Sequence, residues 1–319
     1  MPPVVPPRLD PAAPLPPWPG CLEVHGEHLL HVRRTPALDP QAPLEPALAV
    51  HGLGGSARNW TDVSALLRHR LEFAAVDLPG FGESPPPQDG DLSVAGHVRA
   101  VLAVLTAEAE RAGQPVHLLG SSLGGVVATE VAAARPDLVR TLTLISPALP
   151  HYRVQPAAVR LPVLAAPLLG SIVARRLARL DAETRTRATI TLCFADPDRV
   201  PPQRLREAVA ETARRDTLPY GAQAVRASLR GLLATYLNPV AARAAWRAAG
   251  SVSAPTLLVY GRRDQLVDPD SSLRAARTFA NSWLVTLPGV GHLAQMEAPE
   301  LVADLVGQLV GNVAVGERR

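Results

Sequence analysis

An α/β fold with a doubly wound, mostly parallel sheet and an inserted helical cap is what this sequence predicts, and three patterns predict it. Short apolar runs rich in Val, Leu and Ile recur in both ends of the chain, as expected of strands buried on both faces. Helix-period stretches separate them, and strands that alternate with helices imply parallel pairing through crossovers. From about 148 to 250 that alternation stops, and the chain reads as three or four helices rich in Ala, Leu and Arg with no convincing strand series.

The elements follow in order. The first twenty residues are crowded with proline, lack the basic start and continuous apolar stretch of a signal peptide, and read as a disordered tail over 1–20. Cys21 to Arg34 reads as a two-stranded hairpin turning near Gly26-Glu27. Strands are predicted at Ala47 to Val50, Phe73 to Asp77, Val116 to Gly120, Leu142 to Ile145, Thr256 to Tyr260 and Trp283 to Leu287. Ser93 can cap a helix with Val94, Val98, Val101, Leu102 and Leu105 on its apolar face, ending near Gly113. A last helix is predicted over Glu297 to Leu309, with Pro299 in its first turn. The core is thus expected from 21–147 and 251–319, and the cap over 148–250. Within the cap, Leu161 to Ala174 is almost wholly apolar but broken by Pro162 and Pro167, too short for the roughly 20 residues of a spanning helix. It is expected to line or cover a lipophilic pocket.

Composition bounds the function. At 319 residues and 47% apolar content, one large core with an insertion fits better than two independent domains. The formal net charge is +3; the chain has no lysine, and its arginines are scattered without a basic run or interleaved aromatics, which argues against nucleic-acid binding. Cys21 and Cys193 make no disulfide framework, so a cytoplasmic setting is expected, and no transmembrane segment is read.

The chemistry centres on Gly120-Ser121-Ser122-Leu123-Gly124, which follows one apolar run and precedes a helix-like one. Chance yields a G-x-S-x-G pentapeptide in about one chain in ten of this length, so context decides. Upstream, Ala47 to Val50 leads into His51-Gly52-Leu53-Gly54-Gly55-Ser56, whose backbone N–H groups can approach a ligand closely. Downstream, one strand ends in Gly261-Arg262-Arg263-Asp264 and the next runs into Pro288-Gly289-Val290-Gly291-His292. A serine, an aspartate and an imidazole therefore sit at strand carboxyl ends, where α/β sheets bind ligands. A serine hydroxyl needs a base to take its proton and an acid to orient that base. Ser122, His292 and Asp264 fit those roles. Asp268 is the rival acid, since either aspartate could cap the helix starting near Pro269; Asp264 is preferred as the one nearer the strand end.

In these motifs the sequence resembles the α/β-hydrolase superfamily, from about Leu22 to Gly311, and most of all its cap-bearing serine hydrolases. Asp77-Leu78-Pro79-Gly80-Phe81-Gly82-Glu83-Ser84 and Gly291-His292-Leu293-Ala294-Gln295-Met296-Glu297-Ala298-Pro299 add to the resemblance. It implies a cofactor-free and metal-free enzyme acting through an acyl-enzyme on a lipophilic small molecule, with an ester as the first expectation. Carbon–carbon bond hydrolases and haloperoxidase-like enzymes of this fold carry the same triad, and a non-catalytic ligand-binding member is the alternative of a different class. Epoxide hydrolases and haloalkane dehalogenases are disfavoured because they place aspartate at the nucleophile. The oxyanion would meet the backbone N–H groups of Leu123 and Leu53, with Gly54 as the neighbouring candidate.

Other residues read as structural. Ser121 is a spacing residue of the motif, and His51 is expected to order its loop. His25, His28 and His31 fail as a metal cluster, because i and i+3 on a strand face opposite sides. The Asp77 to Gly82 turn lacks the Lys-Ser or Lys-Thr of a phosphate loop.

Overall fold

The computed structural model describes residues 8–10, 15–151, 153 and 155–316. Eight strands form one sheet in the order β1-β2-β4-β3-β5-β6-β7-β8: β1 (Gly20–His25), β2 (His28–Arg34), β3 (Glu45–Val50), β4 (Leu71–Val76), β5 (Val116–Ser121), β6 (Val139–Ile145), β7 (Thr256–Gly261) and β8 (Ser282–Leu287). The opening hairpin pairs antiparallel, β2 pairs antiparallel with β4, and every later pairing is parallel. Each predicted strand is present, and β6 starts three residues before the expected Leu142.

Helices cover both faces of the sheet. On one face lie α1 (Thr61–Leu67) and the last helix; on the other lie α2 (Val94–Ala112) and α3 (Leu123–Ala134). Strand alternation divides the side chains between two apolar cores. Leu48, Val50, Leu118, Leu142 and Leu258 join α2 and α3, whereas Ala47, Ala49, Leu119, Leu257 and Val259 join α1 and the last helix. Each such fully buried Leu or Val contributes about 1.5–3 kcal/mol. Ser93 caps α2 by accepting from the Gly96 N–H at 3.2 Å, and Gly113 ends it at φ 64°.

Among the described residues, six α-helices lie between β6 and β7, more than the three or four expected: α4 (Leu161–Ala165), α5 (Pro167–Leu177), α6 (Ala182–Cys193), α7 (Pro202–Thr217), α8 (Gly221–Leu237) and α9 (Pro239–Ser251). Proline divides them. Pro167, Pro202 and Pro239 each begin a helix, where a missing N–H costs nothing. The last of the six, α9, packs on α3 and sends Trp246 and Ala249 into the core beside it. In the apolar stretch from Leu161 to Ala174, Leu168, Leu169 and Ile172 are exposed and only Ala165 and Gly170 are buried.

After β7 come α10 (Ser271–Thr278), the single turn α11 (Ala294–Glu297) and α12 (Pro299–Gly316). The predicted helix from Glu297 is therefore broken at Ala298 (φ −142°), with α12 starting on Pro299. Much of the proline-rich tail expected over 1–20 falls outside the described residues. Leu15 and Trp18 are docked instead of trailing: the Trp18 indole N–H reaches the Thr61 carbonyl (3.0 Å) and Ser64 Oγ (2.8 Å), and the Leu15 carbonyl accepts from Arg204 (3.0 Å).

Candidate active site

β5 ends at Ser121 and α3 begins at Leu123, so the strand-to-helix reversal falls on Ser122. Its backbone has φ 55° and ψ −118°. A residue with a side chain rarely occupies that region, at a cost of about 1–3 kcal/mol. The Ser122 carbonyl holds the turn by accepting N–H groups of Gly125 (3.0 Å), Val126 (3.2 Å) and Ala148 (3.0 Å). Close approach explains the flanking glycines. A Cβ on Gly120 would lie 2.4 Å from the Gly124 carbonyl oxygen, and one on Gly124 would lie 2.4 Å from those of Val50 and His51.

The acid and the imidazole meet as the strand order requires. Asp264 Oδ1 accepts the N–H groups of Leu266 (2.8 Å) and Val267 (2.9 Å), which leaves Oδ2 facing His292 Nδ1 at 2.8 Å. Both side chains are buried. Burial by itself would raise the Asp264 pKa, but the facing imidazole and the two N–H donors outweigh it and hold the carboxyl below its ordinary value. A proton on Nδ1 toward the carboxylate would leave Nε2 as an acceptor. Asp268 is not brought to the ring; its Oδ1 accepts from Asp270 N–H (3.1 Å) and Gln155 Nε2 (3.4 Å), organising the turn before α10.

The loop that carries His292 is fastened on three sides. The His292 N–H donates to the Cys193 carbonyl at 2.7 Å, at the end of α6. Next to it, the buried Glu297 carboxylate accepts from Gly291 N–H (2.7 Å) and reaches Ala195 and Asp196 N–H (3.1 Å each). Gln295 Nε2 then donates to Ser121 Oγ at 3.2 Å, tying this loop to the residue before Ser122. Burial, with the Asp264 charge, pushes the pKa of the nearby Cys193 thiol up to about 12.

The glycine-rich loop closes on the same point. Gly55 N–H donates to the Gly52 carbonyl (3.1 Å), and Gly54 takes φ 73°. Gly52 lies against the serine: a Cβ built on it would be 3.6 Å from Ser122 Oγ. The Leu53 N–H is one peptide beyond this contact, and the Leu123 N–H opens α3, where no intrahelical acceptor exists. The Gly54 carbonyl is taken by Arg215 of α7 at 3.0 Å. His51 is buried and neutral, with burial lowering its pKa; Nδ1–H donates to the Gly52 carbonyl (2.7 Å) and Nε2 accepts from Leu78 N–H (3.0 Å). It orders the loop, as expected.

Several functional contacts escape the sequence. Asp77 accepts from Ala57 N–H (2.6 Å), Glu83 N–H (2.9 Å) and His31 Nδ1 (2.8 Å), so His31 braces the loop from the hairpin. Ser121, read as spacing, is the partner of Gln295. Glu297 stood inside a recognised motif, yet its partners at 195 and 196 lie a hundred residues earlier, and no spacing rule connects them.

Comparison with known proteins identifies the fold and the family. Mouse monoacylglycerol lipase ABHD6 is 25% identical over 268 residues, covering 83% of this chain and 75% of the lipase. The pimeloyl-[acyl-carrier protein] methyl ester esterase of Neisseria meningitidis is 29% identical over 272 residues, 83% of this chain and 93% of the esterase. Among solved structures, a putative lipase from Acinetobacter baumannii superposes with a TM-score of 0.75 at 20% identity, covering 94% of this chain and 93% of that one. A 2-hydroxy-6-oxo-6-phenylhexa-2,4-dienoate hydrolase from a Rhodococcus species does so at 0.73 and 21% identity, over 91% and 98%. These two likenesses concern the fold. The alpha/beta hydrolase fold family matches residues 46–299, most of the chain, and with this sheet order and strand-end site the protein belongs to that family.

Proposed function

We propose that the protein is a serine hydrolase that cleaves carboxylic esters with a hydrophobic part through an acyl-enzyme on Ser122. One observation carries the reading: a serine at φ 55° on the strand-to-helix turn, in a molecule that holds a buried Asp264–His292 pair at 2.8 Å just past the ends of β7 and β8. His292 Nε2 accepts the Ser122 hydroxyl proton as Oγ attacks the ester carbonyl. The N–H groups of Leu53 and Leu123 receive the oxyanion, and His292 returns its proton to the departing alcohol. Water then repeats the attack on the acyl-enzyme and releases the acid, so the reaction balances without a cofactor or metal. A cleft of about 380 Å³ lined by Pro156, Ala157, Ala188, Thr191 and Leu192 reaches Gln265, the residue after Asp264, and is the candidate for the hydrophobic part of the substrate. Cys21 and Cys193 are free, which supports a cytoplasmic setting.

The test is covalent labelling with a fluorophosphonate, read by mass spectrometry, beside turnover of p-nitrophenyl esters from acetate to octanoate. Label is expected on Ser122, and Ser122→Ala should abolish it and lower kcat by roughly 10⁴-fold or more. Label retained in Ser122→Ala would overturn the assignment, and a flat or falling chain-length series would remove the lipophilic pocket.

A further inference from the structure

The stretch from Arg153 to Leu180 carries five arginines and no acidic residue. The whole chain has 32 basic and 29 acidic residues, so the remainder is formally −2 while this stretch is +5. Large apolar side chains are exposed in the same place. Leu168 is 80% and Leu169 59% exposed, and Val163, Ile172 and Leu177 are exposed as well. Leaving so many in water is unfavourable unless something covers them.

The two features form one surface. On α5, Leu168, Ile172 and Arg175 follow one another at spacings of four and three, so they share a stripe that Leu169 and Arg176 border. The apolar half lies at the N-terminal end and the cationic half at the C-terminal end. Arg175, Arg176 and Arg179 are exposed, and no carboxylate among the described residues comes within ion-pair distance of them. Elsewhere between β6 and β7 several arginines are paired, among them Arg187 with Glu183, Arg204 with Asp62 and Arg214 with Glu211. Across from α5, Arg226 of α8 also has no ion pair among the described residues. It joins Arg175 and Ser171 around a cleft of about 330 Å³ floored by alanines. α5 packs mainly on α4, and its outer face is uncovered.

We propose that α4 and α5, with the edge of α8, dock the protein on an anionic phospholipid surface. The leucines enter the acyl layer, and the cleft between Arg175 and Arg226 takes a lipid phosphate. An apolar stripe continuous with unpaired arginines is the composition of an in-plane interfacial helix. Charge selects this occupant over a second copy of the chain, which would set arginine against arginine. No helix among the described residues is long and apolar enough to cross a membrane. The inference rests on this surface alone and is independent of the Ser122 chemistry.

Co-sedimentation of the full chain with sucrose-loaded vesicles tests it, using phosphatidylcholine alone and phosphatidylcholine mixed with phosphatidylglycerol. Binding should favour the anionic vesicles by about 10-fold or more and weaken as sodium chloride is raised. Arg175→Ser with Arg176→Ser should weaken it about 30-fold, at about 1 kcal/mol per arginine near such a surface, with hydrolysis of a soluble ester unchanged. Leu168→Ser with Leu169→Ser should weaken it by at least about 10-fold. Equal binding to both vesicles, binding to neither, or insensitivity to salt in the unaltered protein would overturn the proposal without any variant. So would wild-type partition by the arginine variant, or a dimer in sedimentation velocity that Leu168→Ser dissociates.

Discussion

Replacing Glu297 by alanine isolates the fastening of His292, the proposed base. Its carboxylate serves three N–H groups on two segments, and they differ in what they lose. The Gly291 N–H is buried, so water cannot replace its acceptor, and an orphaned buried donor costs about 1–3 kcal/mol. Ala195 and Asp196 are half-buried; their N–H groups recover water, and each loses about 1 kcal/mol of charge-assisted bonding. The sum is about 3–5 kcal/mol, a large part of the 5–15 kcal/mol typical of a domain. Glu297→Gln should cost less, because its carbonyl still serves one N–H group, although its NH2 then meets donors. Activity should fall too, since His292 follows Gly291 and a displacement near 1 Å costs about 10²-fold. Urea unfolding gives the stability change, and p-nitrophenyl butyrate kinetics separate kcat from KM. A loss in kcat with KM nearly constant is expected, because the substrate groove is not touched. Wild-type unfolding and turnover in Glu297→Ala would refute this account of the loop.

The acid assignment separates by paired substitutions: Asp264→Asn should lower kcat by orders of magnitude with the fold intact, whereas Asp268→Asn should cost about 1 kcal/mol of stability and little turnover, and a reversed pattern would move the role to Asp268. His97 makes stability depend on pH, because burial, with His51 nearby, pushes its pKa down to about 4 while the unfolded value stays near 6.5. Between those values the unfolded chain binds more protons, so stability should fall as pH drops through that window, by about 3 kcal/mol from this group. His97→Gln should flatten the slope of urea midpoints between pH 6.5 and 4, and an unchanged slope would assign it to other groups.

What the sequence reveals is what periodicity and local backbone demands can encode. The strands were legible because β3, β5 and β7 are buried on both faces and read as unbroken apolar runs. Ser122 was legible because its turn forbids side chains at Gly120 and Gly124. Leu161 to Ala174 is the opposite case: apolar content says that a surface avoids water, not what covers it. The helices between β6 and β7 were undercounted because proline at a helix start and proline at a helix break look alike in one dimension. His31 with Asp77, and Gln295 with Ser121, are pairs 46 and 174 residues apart that only the folded sheet brings together.

The two ends of the helical layer have different mechanical standing. Near the site it is sewn to the catalytic face: the Cys193 carbonyl holds His292 N–H, Glu297 spans 195 and 196, and Arg215 holds the Gly54 carbonyl. At α5 it has few ties beyond α4. A rigid swing of the whole layer would therefore unfasten the imidazole and the glycine loop together, dismantling the machinery it uncovers. Opening for substrate can be confined to the loosely tied end, with the hinge falling on the stitched side. Grafting new specificity onto this scaffold follows the same asymmetry: lengthening or exchanging α4 and α5 leaves the base in register, whereas an insertion of one residue between Cys193 and Asp196 displaces it.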